Sequence, residues 1–242
     1  MSHNDPLLIL LPGLDGSVEL YEPFCEVMRG ELEGMVIGYP ANYYLDLNSL
    51  VEYAEARIPE TRPIVLMGVS FSSPIAARLL KRKKRNYIAA IFCTTFLISP
   101  HPILTRLASI LPTNLFSYSL KMTPIVRLFF YEKESPLNLI QQFQEANAKL
   151  SPHVLGKRIA SLIQVDERSS LEGIEVPCCY LQAKNDKIIP ARALKAFRLS
   201  REPDSTSEHS LPLLTIAGPH ALLQCKPKES WEAIKEFLAR TV

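Results

Sequence analysis

The sequence predicts an α/β protein with a doubly wound, mostly parallel sheet and a helical insertion near its middle. Three observations predict this fold class. Short apolar runs closed by Gly, Pro, Ser or polar clusters alternate with stretches of helical periodicity, as expected for strands covered on both faces by crossover helices. The alternation stops between about residues 101 and 172 and then resumes. Hydrophobic residues form 47% of the 242 residues, which suits a folded globular core.

The first element is the continuous apolar run Leu7–Leu11, which Pro12-Gly13 ends. A run without polar alternation predicts a strand that is buried on both faces. Similar short runs predict the other strands: Met35–Ile37, Ile64–Met67, Ile88–Phe92, Cys178–Leu181 and Leu213–Ile216.

Helical periodicity lies between these strands. The predicted helices are Tyr21–Met28, Leu47–Ile58, Ile75–Leu80 and a C-terminal stretch with Trp231, Ile234, Phe237 and Leu238 on one face.

Residues 101–172 interrupt this rhythm. The stretch contains five prolines between amphipathic segments such as Ile125–Tyr131 and Leu137–Leu150, and it has no strand-like run. We predict a helical lid over the strand ends, inserted into a core formed by residues 1–100 and 173–242; a plain packing extension is the alternative. The lid residues expected to bind substrate are Leu111, Met122, Phe129 and Phe130.

Charge and cysteine content exclude several functions. Twenty-seven basic and twenty-five acidic residues give a net charge of +2, too small for general attraction to nucleic acid or a membrane surface. The five scattered cysteines form no C-x-x-C pair, and no apolar run approaches the ~20 residues that span a bilayer. We therefore expect a cytoplasmic protein with reduced thiols, no nucleic-acid partner and no integral membrane segment. The sequence does not indicate an oligomeric state.

The segment Gly68-Val69-Ser70-Phe71-Ser72 stands between a predicted strand and a helix rich in small residues. This is the form of a nucleophile elbow, in which a serine on a strained turn needs small residues two positions before and after it. Gly68 and Ser72 meet that need, although Ser72 replaces the usual second glycine. The alternative is that Ser70 is an ordinary turn serine that caps the next helix.

Four segments together resemble the α/β-hydrolase family, in the family's order: Leu7–Ser17, Gly68–Ser72, Leu181–Pro190 and Gly218–Gln224. With the sheet and the lid, the resemblance covers nearly the whole chain. It implies a catalytic triad of Ser70, His220 and Asp186, with Asp166 as the alternative acid. A histidine would take the serine proton during attack, and the carboxylate would hold that histidine's tautomer.

An oxyanion hole would complete this site. One donor should be the backbone N–H of Phe71, directly after the nucleophile. By resemblance the other is the N–H of Leu14, because Pro12-Gly13-Leu14 stands where the family usually has His-Gly-x. We interpret Asp15-Gly16 as residues that favour a turn, in preference to a second catalytic acid.

Five consecutive basic residues end the helix that begins at the elbow: Lys81, Arg82, Lys83, Lys84 and Arg85. A solvated charged face at a helix C-terminus is the ordinary interpretation. A docking patch for an acidic acyl-carrier protein is the alternative. Some small members of the resembling family cleave the methyl ester of a carrier-bound pimeloyl chain, and this chain is of similar size with a similar lid.

No metal or cofactor is predicted, because the zinc motif H-E-x-x-H and the phosphate-binding glycine loops are absent from the sequence. Adjacent Cys178 and Cys179 should point to opposite faces of a strand, into the core. The leading hypothesis is a cofactor-free serine hydrolase that cleaves a small-molecule or carrier-linked ester or thioester of an aliphatic acyl group. The alternatives are a non-catalytic ligand- or partner-binding protein on the same fold, and a triad used for carbon–carbon, cyanohydrin or perhydrolysis chemistry.

Overall fold

Six parallel strands form one sheet in the computed structural model, which describes residues 5–100, 117–201 and 211–241. The sheet order is β2-β1-β3-β4-β5-β6. The strands are β1 Leu7–Leu11, β2 Glu33–Val36, β3 Ile64–Val69, β4 Tyr87–Cys93, β5 Cys178–Ala183 and β6 Leu213–Ile216. Each predicted strand is therefore confirmed, and β1 and β6 have the predicted bounds.

Helices cover both faces of the sheet and occur in the described part of the insertion between β4 and β5. They are α1 Glu22–Met28, α2 Leu47–Glu55, α3 Ser73–Arg82, α4 Thr123–Phe130, α5 Leu137–Lys149, α6 Pro152–Ser161, α7 Ala191–Arg201, α8 Leu222–Cys225 and α9 Pro227–Thr241. The sequence analysis did not predict α6 as a helix.

The apolar run of β1 serves two cores because successive side chains of a strand point to opposite faces. Leu8 and Leu10 are buried in the core that includes residues of α1 and α9. Leu7, Ile9 and Leu11 are buried in the core that includes residues of α2, α3 and α7. Cys178 and Cys179 of β5 divide between the same two cores, as predicted.

Local sequence defines where two of the helices begin and end. Asp46 caps α2, and its carboxylate accepts a hydrogen bond from the Ser49 amide at 2.8 Å. Pro74 lies in the first turn of α3, where its missing N–H costs no hydrogen bond. Lys83 ends α3 in the left-handed conformation, with φ +53°.

The insertion contributes α4, α5 and α6 over the carboxyl edge of the sheet. Val126 and Ile140 are fully buried and join the core on the α1 side. An antiparallel bridge between Ile98 and Asp166 joins the chain before the insertion to the chain that follows α6. The predicted lid residue Leu111 lies outside the described residues.

Because all strands run in one direction, their carboxyl ends meet at the same edge of the sheet. The turn after β1, Ser70 after β3, Asp186 after β5 and His220 after β6 are therefore brought to one edge. None of the described helices is both long and apolar enough to cross a lipid bilayer.

Candidate active site

Ser70 occupies a sharp turn between β3 and α3. Its φ is +47°, a left-handed conformation that a residue other than glycine adopts only when its surroundings impose it. The helix packs so closely on the strand that a Cβ on Gly68 would lie 2.9 Å from the Ala76 Cβ and 3.2 Å from the Ser73 Cα. The small residue predicted at position 68 is thus required by helix–strand contact.

Three polar side chains from three loops form a hydrogen-bonded chain at this edge. The His220 Nε2 lies 3.1 Å from the Ser70 Oγ, and the His220 Nδ1 lies 2.8 Å from an Asp186 carboxylate oxygen. A carboxylate accepts from Nδ1–H, and this leaves Nε2 free to accept the serine proton. The structure thus brings together the three residues that the resemblance selected.

The surroundings of Asp186 keep it charged. Its other carboxylate oxygen accepts hydrogen bonds from the amides of Ile188 and Ile189 at 2.7 and 2.9 Å. Burial alone raises the pKa of this carboxyl, but the charge and hydrogen bond of His220, together with the two amides, outweigh burial and hold the pKa below its ordinary value. The alternative acid Asp166 pairs instead with Arg168 at the surface, at 2.6 Å.

Ser72 stands where the resembling family usually has glycine, and it is fully buried. Its hydroxyl donates to the Pro12 carbonyl and lies 2.6 Å from the Tyr39 hydroxyl. A glycine at this position would lack both contacts. Ser72 therefore joins the elbow to the turn that follows β1.

The two predicted oxyanion donors are the backbone N–H groups of Phe71 and Leu14. Phe71 directly follows Ser70, and Leu14 lines the cleft beside Ser70 and His220. Within the part of the chain that the structure describes, the backbone N–H group of Leu14 has no hydrogen-bond partner. Such an unpaired donor can bind an incoming oxygen.

A cleft that is partly open to solvent contains Ser70 and His220. Most of its lining is apolar, which suits an aliphatic ligand. Phe130 lines the cleft. Its ring centroid lies 4.7 Å from that of Phe143 and 5.8 Å from that of His220. Met122 and Phe129, by contrast, are 41% and 44% exposed and are not among the residues that line this cleft, so their role in substrate binding stays a prediction.

Several cleft residues were missed by the sequence analysis. Leu120, Phe143 and Asn147 come from the insertion, and Cys93 and Thr94 come from the end of β4. The position of Cys93-Thr94 after a strand was a usable signal, since ligands bind at strand carboxyl ends in such sheets. Phe143 carried no such signal, because helical periodicity indicates a buried face without identifying what it contacts.

The basic run lies at the opposite edge of the sheet from Ser70. Helix α3 separates the two by ten residues, or about 15 Å at 1.5 Å per residue. Arg82 and Lys84 pair with the Glu55 carboxylate at 3.0 and 3.2 Å, and Arg85 donates to the carbonyls of Glu55 and Ile58. With these contacts, the run forms a charged helix end in which some of the basic side chains are paired.

Metal-binding residues do not cluster in the described ranges, where no three His, Cys, Asp or Glu side chains come together in a way that could hold an ion. All five cysteines are free thiols.

The similarity of this chain to known proteins lies in its structure. No protein-family model matches the chain, and no curated protein matches it. The chain is similar in structure to an α/β hydrolase enzyme from a Medee basin deep-sea metagenome library, with a TM-score of 0.75, 14% identity, and coverage of 100% of this chain and 92% of that one.

Two further solved structures give the same result. An esterase from Exiguobacterium antarcticum matches with a TM-score of 0.74 and 15% identity over 98% of this chain and 93% of that one. A hydrolase from Pseudomonas aeruginosa matches with a TM-score of 0.73 and 17% identity over 97% and 90%. The fold is therefore the α/β-hydrolase fold, and the predicted fold class is confirmed.

Proposed function

We propose that this α/β-hydrolase-fold protein is a serine hydrolase that cleaves a carboxylic ester or thioester of an aliphatic acyl group. The observation that carries this proposal is the hydrogen-bonded chain from Ser70 through His220 to Asp186, opening into a largely apolar cleft. Fold likeness alone would not suffice, because one fold serves many functions.

Acylation begins when the Ser70 Oγ attacks the acyl carbon and its proton passes to the His220 Nε2. The carbonyl π electrons move to the carbonyl oxygen, which the N–H groups of Leu14 and Phe71 bind as an oxyanion. When the intermediate collapses, the bond from carbon to the alcohol oxygen or thiol sulfur breaks. The leaving group takes the proton from His220, and the acyl-enzyme remains.

Deacylation repeats these steps with water as the nucleophile. His220 takes one proton of the water as the oxygen attacks the acyl carbon, and a second oxyanion forms at the same donors. Collapse breaks the bond to the Ser70 oxygen, which regains its proton from His220. The carboxylic acid leaves, and Asp186 stays ionised throughout while it orients the imidazole.

The cleft lining favours an acyl chain without charge. Leu14, Leu120, Phe130 and Phe143 face the space beside the nucleophile, and apolar surface binds aliphatic chains by removing both from water. A carrier-linked methyl ester is a narrower form of the proposal. It has little support from the basic run, whose charges are partly paired and lie at the far sheet edge.

The experiment is hydrolysis of p-nitrophenyl esters of increasing acyl length, combined with fluorophosphonate labelling and mass spectrometry of the Ser70 peptide. We expect turnover and labelling of the wild-type protein, and neither in Ser70→Ala, with the same unfolding transition in both. Ser73→Ala is the matched control, since Ser73 is a fully buried neighbour outside the cleft. Equal turnover by Ser70→Ala would contradict the proposal, and an unlabelled, inactive wild type would favour a ligand-binding protein.

A carrier-protein-linked methyl ester tests the narrower form. We expect Lys81→Gln/Lys83→Gln, which removes two exposed charges of the basic run, to leave its hydrolysis within about twofold of wild type. A selective loss on this substrate, with p-nitrophenyl ester turnover unchanged, would instead indicate carrier docking.

A further inference from the structure

Arg158 of helix α6 is 1% exposed and is among the largest fully buried side chains of the described residues. An arginine in a helix is ordinarily a surface residue, and a buried guanidinium is costly unless its N–H groups are paired. Arg158 lies in the lid insertion, 144 residues along the chain from its main partner. Neither its position nor its burial was predictable from helical periodicity.

The guanidinium binds backbone carbonyls of the turn after β1. Its Nη1 donates to the Leu14 carbonyl at 2.8 Å and to the Asp15 carbonyl at 3.0 Å, and its Nη2 donates to the Pro40 carbonyl at 2.9 Å. The fit is close, because a Cβ on Gly16 would lie 2.8 Å from Nη1. Gly16 also has φ +74°, so glycine suits this position for two reasons.

The turn from the Pro12 carbonyl to the Gly16 carbonyl has a nearly complete set of backbone hydrogen bonds. The Pro12 carbonyl accepts from Ser72, and the Gly13 N–H donates to the Tyr21 hydroxyl at 2.8 Å. The Gly16 N–H donates to the Gly13 carbonyl at 3.1 Å, and the Gly16 carbonyl accepts from the Tyr39 amide at 2.8 Å.

The remaining groups of this turn include a free donor. Arg158 satisfies the carbonyls of Leu14 and Asp15. The Leu14 N–H has no hydrogen-bond partner among the described residues, and Leu14 lines the cleft beside Ser70. The Leu14 N–H belongs to the Gly13–Leu14 peptide, whose carbonyl accepts from the Gly16 N–H. Arg158 holds the next two peptides through the Leu14 and Asp15 carbonyls, so the bonds on both sides restrict the rotation that would turn this N–H away.

We propose that Arg158 is a positioning residue, which holds the Leu14 N–H toward the reacting carbonyl oxygen by binding the Leu14 and Asp15 carbonyls. This inference rests on the proposed serine hydrolase function. It makes the lid a structural part of the oxyanion hole, because α6 belongs to the lid and the donor belongs to the core. Arg158 itself touches neither Ser70 nor His220.

The test compares Arg158→Met and Arg158→Lys with wild type, using a p-nitrophenyl ester and an alkyl trifluoromethyl ketone. Ser70 adds to the ketone carbon, its proton passes to His220, and the ketone oxygen becomes an oxyanion like that of the reaction. Rates are divided by the active-site concentration titrated with fluorophosphonate, so that a smaller folded fraction does not lower kcat.

Loss of a complete oxyanion donor lowers kcat by about 10²–10³-fold, so a misplaced donor in Arg158→Met should lower kcat by about 10–100-fold. We expect KM to change by less than about threefold and the ketone affinity to fall with kcat/KM, since both depend on the oxyanion. Arg158→Lys keeps a charge and a donor but not the planar fork, and it should lose about 3–10-fold.

The matched control is Arg78→Met, which breaks the pair of Arg78 with the buried Glu167 and removes no hydrogen bond to the turn after β1. It should lower the free energy of unfolding and leave kcat per titrated site unchanged. If Arg158→Met does not fold, Arg158→Lys decides the question alone. If a folded Arg158→Met variant keeps kcat and ketone affinity within twofold of wild type, the positioning role of Arg158 is overturned while the hydrolase function stands. The same result for Arg158→Lys overturns the role when Arg158→Met does not fold. An inactive wild type would overturn the proposed function together with it.

Discussion

Removal of the Ser72 hydroxyl should destabilise the protein far more than the loss of one ordinary surface hydroxyl would. Ser72 is fully buried and Tyr39 is 6% exposed, and the hydroxyl bonds both the Pro12 carbonyl and the Tyr39 hydroxyl. The Ser72→Ala variant leaves these two partners buried without their hydrogen bonds.

The magnitude follows from counting the groups left unpaired. A buried polar group that loses its partner costs about 1–3 kcal/mol. Two such groups therefore predict that the free energy of unfolding falls by about 2–6 kcal/mol. For a chain of this size, each kcal/mol lowers Tm by about 2–4 °C, so a loss near ~3 kcal/mol corresponds to roughly 6–12 °C.

The assay is urea unfolding followed by circular dichroism, with thermal melting beside it. Ser73→Ala is the matched control, since Ser73 is equally buried but its hydroxyl makes only a long 3.4 Å bond to the Gly68 carbonyl; it should cost about 1 kcal/mol or less. Tyr39→Phe combined with Ser72→Ala should cost less than the sum of the single variants, because the double variant has no orphaned Tyr39 hydroxyl. The reasoning would be refuted by a Ser72→Ala protein within about 0.5 kcal/mol of wild type.

Three further predictions concern the site. The pKa of Asp186 is held below its ordinary value of 3.8. Its ionised carboxylate therefore contributes fully to stability above that pH, and the contribution is lost as the pH falls through the lower pKa of the folded state. The difference in urea stability between wild type and Asp186→Asn should narrow from pH 7 to pH 3. Gly68→Ala places a methyl carbon 2.9 Å from the Ala76 Cβ, which should lower the free energy of unfolding by about 1–3 kcal/mol. It should also lower kcat per titrated site, because the strain displaces Ser70. Unchanged kinetics would contradict the close packing of the elbow. Phe130→Ala removes a ring from the cleft wall and should shift the p-nitrophenyl ester preference to bulkier acyl groups, whereas Leu128→Ala, at an exposed position, should leave the acyl-length profile unchanged.

The fold and the core of the candidate site could be predicted because their signals are local in sequence. Apolar runs and helical periodicity identify elements through the faces they bury, and parallel strands bring the segments after β3, β5 and β6 to one edge. The resemblance to the α/β-hydrolase family then selected Ser70, Asp186 and His220 from the elbow and the two strand-end loops. The helix α6 escaped prediction, because Pro152 reads as a break when it in fact opens a helix in its first turn.

The sequence by itself determined the order of the elements, the parallel sheet and the residues that meet at its edge, since each of these follows from patterns within a few residues. Only the tertiary structure decided that Phe130 faces the cleft while its neighbour Phe129 is exposed, and that Ser72 and Arg158 hold the turn after β1. These contacts join segments 60 and 144 residues apart. Periodicity states that a side chain is buried, but its partner depends on how distant elements pack, which no local pattern encodes.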